Sequence, residues 1–405
     1  MKLTTEIYND RIKQTLVCKR RCKMKLIHVS DIHFGTKFLN KDPKVRKTLI
    51  DESYKTFDKV IDYVLKNDVK ALLIAGDLFD GEYRSLRAEK YLIDIFEGLN
   101  NYGVKVFYSL GNHDSNTTFR NGFLRELPNN VTIFNKENPS SYLLDDRAYI
   151  HSCGHQSGIE NRNLVENFPE AIEGYYNIGL LHCSIVSNVE NRHLYLPTKI
   201  EDLESKNYDY WALGHIHKRE QVNNNIYYSG SLYGLNSKET GSKGALLIHL
   251  EANDLSVEFI DFSTINYETM IIDFQEESIN NQYELLKYLD EKLDQFHKKI
   301  MLKLVLNNQT SLYTFFKNEV NHEELKNEIK RNDKIIDVSI DISGIEGLIN
   351  YKDYIKDDNI LGYIAKALKD EDFTQKIKET YNIDPTDEEF IKELMNMMVG
   401  ASNED

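Results

Sequence analysis

The chain has 405 residues, 41% of them apolar, with 65 acidic against 50 basic and a formal net charge of −15, and it is long enough for two domains around a buried core. Such an acidic surplus repels a polyanion at long range, so a nucleic-acid partner would have to be held by local basic patches or by metal ions. No run approaches the ~18 consecutive apolar residues of a membrane helix and the N-terminus carries no apolar signal core, so no membrane partner and a cytoplasmic location are expected.

Residues 1–23 gather Lys19, Arg20, Arg21 and Lys23 with little apolar periodicity. They read as a loosely attached extension or, alternatively, as a basic arm for nucleic acid. Cys18 and Cys22 are half a zinc site at most, because no second close pair completes four ligands; with Cys153 and Cys183 they read as reduced thiols. The stretch MKLIHVSDIHFG at 24–35 then sends an apolar strand into Asp31-Ile32-His33. Alternate residues of an extended chain share a face, so Asp31 and His33 would point together past the strand end, a metal-ligand geometry; a polar turn capping the strand is the plainer reading of that triplet alone.

The spacing predicts a helix over 43–66 with Phe57, Val60, Ile61, Val64 and Leu65 in one stripe. Val69–Ala75 is a continuous apolar run, as expected of a strand covered on both faces. It closes a β-α-β unit and ends in Gly76-Asp77-Leu78-Phe79-Asp80-Gly81, where the glycine permits a sharp turn that sets Asp77 beside Asp31 and His33. A second helix is expected over 84–100 with Ala88, Leu92, Ile95 and Leu99 inward, then a strand Val104–Leu110 ending in Gly111-Asn112-His113-Asp114. Asn112 offers a carbonyl oxygen, His113 a titratable imidazole, and Asp114 a carboxylate to orient it.

Residues 115–175 are less regular, with short strands near Val131–Phe134, Ser141–Leu144 and Tyr149–Cys153 and a helix expected over Asn163–Glu173. His151 and His155 read as satisfying local backbone groups. The strand Tyr176–Leu181 ends at His182, and Tyr208–Leu213 ends in Gly214-His215-Ile216-His217. The β-rich stretch 225–263 includes Tyr228-Ser229-Gly230-Ser231, small residues that let a backbone approach something closely.

In open α/β sheets ligands bind beyond the carboxyl ends of strands, where Asp31, His33, Asp77, Asn112, His182, His215 and His217 all fall. Seven donors exceed the needs of one ion. They suit two divalent ions roughly 3.5–4 Å apart sharing one carboxylate, with Asp77 the natural bridge, and such a site serves in-line displacement at phosphorus. The donor types alone fit manganese, iron or zinc. Unrelated polar strand ends would hardly gather five of the chain's twelve histidines.

The series Asp31-x-His33, Gly76-Asp77-x-x-Asp80, Gly111-Asn112-His113-Asp114, His182 and Gly214-His215-x-His217 resembles the calcineurin-like metallophosphoesterase superfamily over about residues 24–262. Within it, Leu213-Gly214-His215-Ile216-His217 and Tyr228-Ser229-Gly230-Ser231 followed by Lys243-Gly244 resemble the SbcD-type DNA-repair exonucleases, relatives of the meiotic-recombination nuclease, and especially their YhaO-like bacterial branch. The resemblance implies an α/β fold, a two-sheet sandwich flanked by helices. It implies one ion on Asp31, His33, Asp77 and His217 and a second on Asp77, Asn112, His182 and His215, typically manganese. His113 would contact the scissile phosphate and protonate the leaving oxygen. Asp80 stands where eukaryotic and archaeal relatives carry a histidine that helps orient the DNA end, so their exonuclease behaviour does not carry over, and no family DNA-contact residue maps onto the chain.

Strands over 267–274, 299–306 and Ile335–Ile342 alternate with helices over 281–297, carrying Leu285, Leu286, Leu289 and Leu293, and over about 312–331. This predicts a small α+β domain, which the resemblance implies would cap the nuclease and touch DNA; a dimerisation or stabilising module is the plainer alternative. Beyond Gly344 the chain turns acidic and helical, near 359–370, 372–380 and 386–398. The stripe Phe390, Ile391, Leu394, Met395 and Met398 follows the start signal Asp384-Pro385-Thr386, and Met-rich stripes suit adaptable contacts. Periodicity alone would pack it on the chain's own core, whereas the resemblance implies docking to an SMC-like ATPase, in a homodimeric nuclease. The expected domains are the 1–23 extension, a 24–263 phosphoesterase domain, a 264–345 capping domain and a 346–405 docking region. The expected function is metal-dependent phosphodiester cleavage of DNA. A small-molecule phosphoesterase and a non-enzymatic scaffold are the alternatives, and the Gly-Asp-x-Val-Asp-Arg-Gly signature of protein phosphatases is absent.

Overall fold

Strands covered on both faces form the middle of two stacked sheets, and partly exposed strands form their edges. The computed structural model describes residues 23–81, 85–115, 121–186, 195–251, 254–347, 360–385, 387, 390, 391 and 394. The extension at 1–22 with Lys19, Arg20, Arg21, Cys18 and Cys22, and Met395 and Met398 of the terminal stripe, lie outside them. Along the chain run β1 (Met24–Val29), α1 (Pro43–Lys66), β2 (Val69–Ala75), α2 (Leu86–Asn101), β3 (Lys105–Ser109), α3 (Asn121–Arg125) and β4 (Val131–Phe134). Next come β5 (Ser140–Leu144), β6 (Ala148–Ser152), β7 (Tyr176–His182), α4 (Ile200–Ser205), β8 (Tyr210–Gly214), β9 (Glu220–Asn223), β10 (Ile226–Tyr228), β11 (Gly244–Glu251) and β12 (Asp254–Asp261).

The first sheet has the order β12-β11-β1-β2-β3-β4 and the second β5-β6-β7-β8-β10-β9. In the first, β1 to β4 run parallel, with β11 antiparallel to β1 and β12 antiparallel to β11; in the second, β6, β7, β8 and β10 are parallel. Alternation on β1 divides the core. Leu26 joins Leu73, Ile178, Leu180 and Ala212 between the sheets, while Ile27 and Val29 face Phe57, Val60 and Val64 of α1 and Leu92, Phe96 and Leu99 of α2. Each such side chain contributes roughly 1.5–3 kcal/mol on burial. This is the expected helix-flanked two-sheet sandwich.

The helices start where side chains can take up unpaired backbone N–H groups. Asp42 accepts from Lys44 N and Ser85 accepts from Ala88 N at the starts of α1 and α2. On α2 it is Phe96, fully buried, that completes the stripe rather than the half-buried Ile95. The helix expected over Asn163–Glu173 is only a 3-10 turn at Val165–Asn167. Pro169 has no N–H to continue it, and the Asn163 side chain caps Val165 N instead.

Three further strands, β13 (Ile265–Asp273), β14 (Lys299–Thr310) and β15 (Ile335–Gly347), form a sheet in that order. Helix α5 (Gln282–Leu293) buries Leu285, Leu289 and Leu293. The single helix expected over 312–331 is two, α6 (Tyr313–Lys317) and α7 (Glu319–Ile329), because Asn318 leaves the helical conformation to cap Val320 N and Asn321 N. Helices α8 (Ile360–Lys369) and α9 (Glu371–Tyr381) follow. By compactness one unit runs to Thr269 and also takes Phe296–Lys303 and Asp333–Val338; the other takes Met270–Gln295, Leu304–Asn332 and the described residues from Ser339 on. No helix among the described residues is long and apolar enough to cross a membrane.

Candidate metal centre

Every residue of the predicted constellation lies at a strand's carboxyl end, but the first motif reaches the site by a different backbone path from the one its spacing suggested. Asp31 and His33 both have φ of 50°, so the extended geometry does not continue past β1. Segments 31–34 and 76–80 instead stay paired while turning, through Asp31 N to Gly76 O at 3.1 Å, His33 N to Asp77 O at 2.9 Å and Phe34 N to Leu78 O at 2.9 Å. Asp77 at φ 51° and His215 at φ 99° share the left-handed conformation. It costs a non-glycine residue energy, and such residues gather at functional sites. Gly76, at φ +86°, adds a steric requirement, since a Cβ there would overlap the His182 imidazole.

Among the described residues three clusters of potential ligand atoms result: Asp31, His33 and His217; His33, Asp77 and His113; and Asp31, Asp77 and His182, each with its atoms within 4.8 Å of one another. His33 Nε2 lies 3.2 Å from His217 Nε2 and 3.8 Å from Asp77 Oδ2. On its other side Asp77 Oδ2 is 3.3 Å from His182 Nε2, which is 2.9 Å from Asn112 Oδ1. His217 Nε2 is 3.7 Å from Asp31 Oδ1. His215 contributes differently: its backbone N–H donates to the Asp31 carboxylate at 3.1 Å, and its ring stands 5.3 Å from that of His182, centroid to centroid.

The donor set suits cations. The Ala75 carbonyl can only accept, so His182 Nδ1 carries the proton of their 2.8 Å bond, and a ring deprotonated at Nε2 would turn that lone pair toward Asp77 and Asn112. His217 Nδ1 likewise donates to Glu239 Oε1 at 2.9 Å, leaving its Nε2 lone pair facing His33. A carbonyl or carboxylate behind each imidazole is the usual support of a metal-binding histidine. Burial presses the His182 pKa down, but the Asp77 carboxylate outweighs it and raises the value to about 9, so without a cation the ring holds a second proton on Nε2, which a bound ion would displace. Lone pairs converging on Asp77 thus call for positive charge, and divalent ions fit them.

His113 occupies a different position. Its side chain is 44% exposed, against 5% for His33 and none for His182, so it can meet a substrate. Its Nδ1 lies 3.3 Å from Asp80 Oδ1, and that hydrogen bond raises the pKa of His113 against the effect of burial. Asp80 therefore orients the imidazole, which corrects the expectation for Asp114. The Asp114 carboxylate is buried and accepts from Leu78 N at 2.6 Å, from Gly111 N at 2.7 Å and from the Tyr108 hydroxyl, clamping the Asp77 turn to the Asn112 turn. Glu239 also escaped the sequence reading, because it follows His217 at long range in a loop with no motif of its own; Asp80 had a signal in its place three residues after Asp77. His155 donates to the His182 carbonyl at 2.7 Å, while His151 bonds the side chains of Ser141 and Asn177 rather than backbone.

Residues 24–219 match the Calcineurin-like phosphoesterase family. The metallophosphoesterase YhaO of Bacillus subtilis is 31% identical over 293 residues, covering 69% of this chain and 71% of that protein. The DNA double-strand break repair protein Mre11 of Methanocaldococcus jannaschii is 25% identical over 401 residues, 89% of this chain and 99% of that one. One subunit of the SbcCD nuclease of Staphylococcus saprophyticus is 27% identical over 314 residues, 70% of this chain and 78% of its own length.

Proposed function

This chain belongs to the calcineurin-like phosphoesterase family, and from that premise we propose that it is a metal-dependent phosphodiesterase that cleaves DNA. The observation that carries the reading is the convergence of Asp31, His33, Asp77, His182 and His217, with the histidine lone pairs turned inward by acceptors behind two of the rings. In this reading Asp31, His33, Asp77 and His217 hold one divalent ion, and Asp77, Asn112, His182 and His215 hold the other, with manganese the expected metal. When bound, such ions neutralise the charge that develops on a displaced phosphoryl group and lower the pKa of a water.

The chain's own groups do the rest. His113, held through Nδ1 by Asp80, keeps Nε2 free to protonate the leaving oxygen. Asp114 fixes the two turns that carry Asp77 and Asn112, and Glu239 and the Ala75 carbonyl fix the ring orientations of His217 and His182. Relatives named for double-strand break repair and as part of a nuclease support DNA as substrate. We further propose, from the sequence resemblance, a homodimer in the cytoplasm and an SMC-like ATPase partner docked through residues after 345.

The test is a cleavage assay of the purified chain on plasmid, linear duplex, single-stranded DNA and bis(p-nitrophenyl) phosphate, each with manganese, magnesium or zinc. Metal-dependent cleavage of at least one DNA is expected. Turnover of the chromogenic diester without cleavage of any DNA would reject the substrate.

A further inference from the structure

Beside the metal centre lies a cavity of about 280 Å³ lined by Lys218, Arg219, Lys243 and Phe259 and by the short segments Ser229–Gly230–Ser231 and Thr240–Gly241–Ser242. Three of its side chains are cationic and none is acidic, in a chain whose net charge is −15. Two carboxylates stand behind the lining, and each accepts from a lining hydroxyl, Ser231 or Ser242, as well as from a cationic or imidazole partner outside the cavity. Glu239 takes His217 Nδ1 and the Ser231 hydroxyl, and Asp261 takes Lys298 Nζ at 2.5 Å. Lys218 has only a loose 3.8 Å approach to Glu220, on the exposed side.

The cations are differently prepared. The Arg219 guanidinium lies 3.6 Å above the Phe259 ring. That stacking fixes its plane while its N–H groups stay available at the edge, and a guanidinium fork matches phosphate oxygens in a way an ammonium does not. Lys243 is buried and donates one of its three protons to the His217 carbonyl at 3.1 Å, which ties the cavity to a residue of the metal centre. Gly241, at φ +79° with its N–H bonded to the Tyr267 carbonyl at 3.0 Å, leaves open space where a Cβ would stand, so the turn adds no side chain to crowd the cavity. Cations and small residues in a lining without an acid make an anion site, and the volume is below the ~300–1,000 Å³ of pockets that take whole drug-sized ligands.

We propose that this cavity is a phosphate subsite, in which Arg219, Lys218 and Lys243 grip the phosphate of a nucleotide neighbouring the one cleaved at the metal centre. Its assignment to a DNA strand rests on the nuclease reading; its affinity for phosphate does not. Phosphate contacts position a strand without reading its sequence, so the subsite supplies local attraction that the acidic molecule lacks.

The experiment is calorimetric titration of the full chain, stripped of metal with EDTA, with inorganic phosphate, thymidine 5′-monophosphate and thymidine. Both phosphates should bind and thymidine should not. Arg219→Gln should weaken phosphate binding by about tenfold or more, the scale of a charge-assisted hydrogen bond, with Arg219→Lys falling between. Arg219 is on the surface, so neither variant threatens the core. Equal phosphate affinity in wild type and Arg219→Gln, or thymidine binding as tightly as its monophosphate, would overturn the proposal. A second arm, on the metal-loaded chain, compares kcat/KM for a dinucleotide with and without an extra terminal phosphate, and Arg219→Gln should shrink the ratio. If the first arm holds while the loaded wild type cleaves no DNA, the subsite stands and the DNA reading falls.

Discussion

The role of His113 turns on its exposure and on Asp80 behind it. His113→Ala should keep its metal and lose cleavage by roughly 10²–10⁴-fold, the scale of a positioned general acid; elemental analysis beside the kinetics checks this, and equal metal loss would reassign the residue as a ligand. His28 makes a separate, stability-based prediction. Burial lowers its pKa from 6.5 to about 3, against a smaller raising effect from the Leu213 backbone. Between those two values the unfolded chain binds a proton that the folded chain refuses. Its contribution to stability is therefore full above about pH 6.5 and lost as the pH falls toward 3, at up to about 1.4 kcal/mol per unit. His28→Asn should flatten the pH dependence of urea unfolding between pH 4 and 6.5 relative to wild type; identical slopes would contradict the buried, neutral imidazole. At this scale the sequence was an uneven guide. Asp31 and His33 were found through an alternation that the left-handed backbone does not follow, because Asp and His tolerate that conformation without announcing it. Asp114 was assigned to its chain neighbour when its partners lie across a turn, and Glu239 could be found only from the folded chain.

Elements were legible where one physical term dominated. The 3.6-residue stripe of α1 and the two-face burial of β2 leave no alternative, so both ends of each element agree with the sequence reading. Local competition broke the rest: Pro169 stopped a helix, and Asn318 divided another by capping its second half. Two glycines test how far the elements fix the site. Gly76→Ala adds a Cβ against His182 at a φ of +86°, and should lower stability by more than about 1 kcal/mol and deplete bound metal. Gly98→Ala, within α2 with nothing within 4 Å of the added carbon, should stabilise by about 0.5–1 kcal/mol and leave metal content alone. Chemical denaturation and elemental analysis of the pair separate these outcomes, and similar behaviour of the two variants would refute the packing argument.

For the whole molecule, the sandwich was readable because strand, helix and motif recur in register along the chain, whereas the splitting of the chain into discontinuous units was not, since three late strands contribute residues to both. A net charge of −15 with few concentrated cations also predicts a shallow salt dependence. The slope of log affinity against log salt for duplex DNA should stay well short of the steep values, about −5 to −9, of proteins that neutralise 6–10 phosphates; a slope in that range would show a basic surface not accounted for. The most direct measurement of the central claim is the metal count. After mild chelation and reloading with manganese, elemental analysis should give two ions per wild-type chain and neither in Asp77→Asn, because one carboxylate stands between both donor sets. One ion per wild-type chain, or wild-type occupancy in Asp77→Asn, would contradict the two-ion centre.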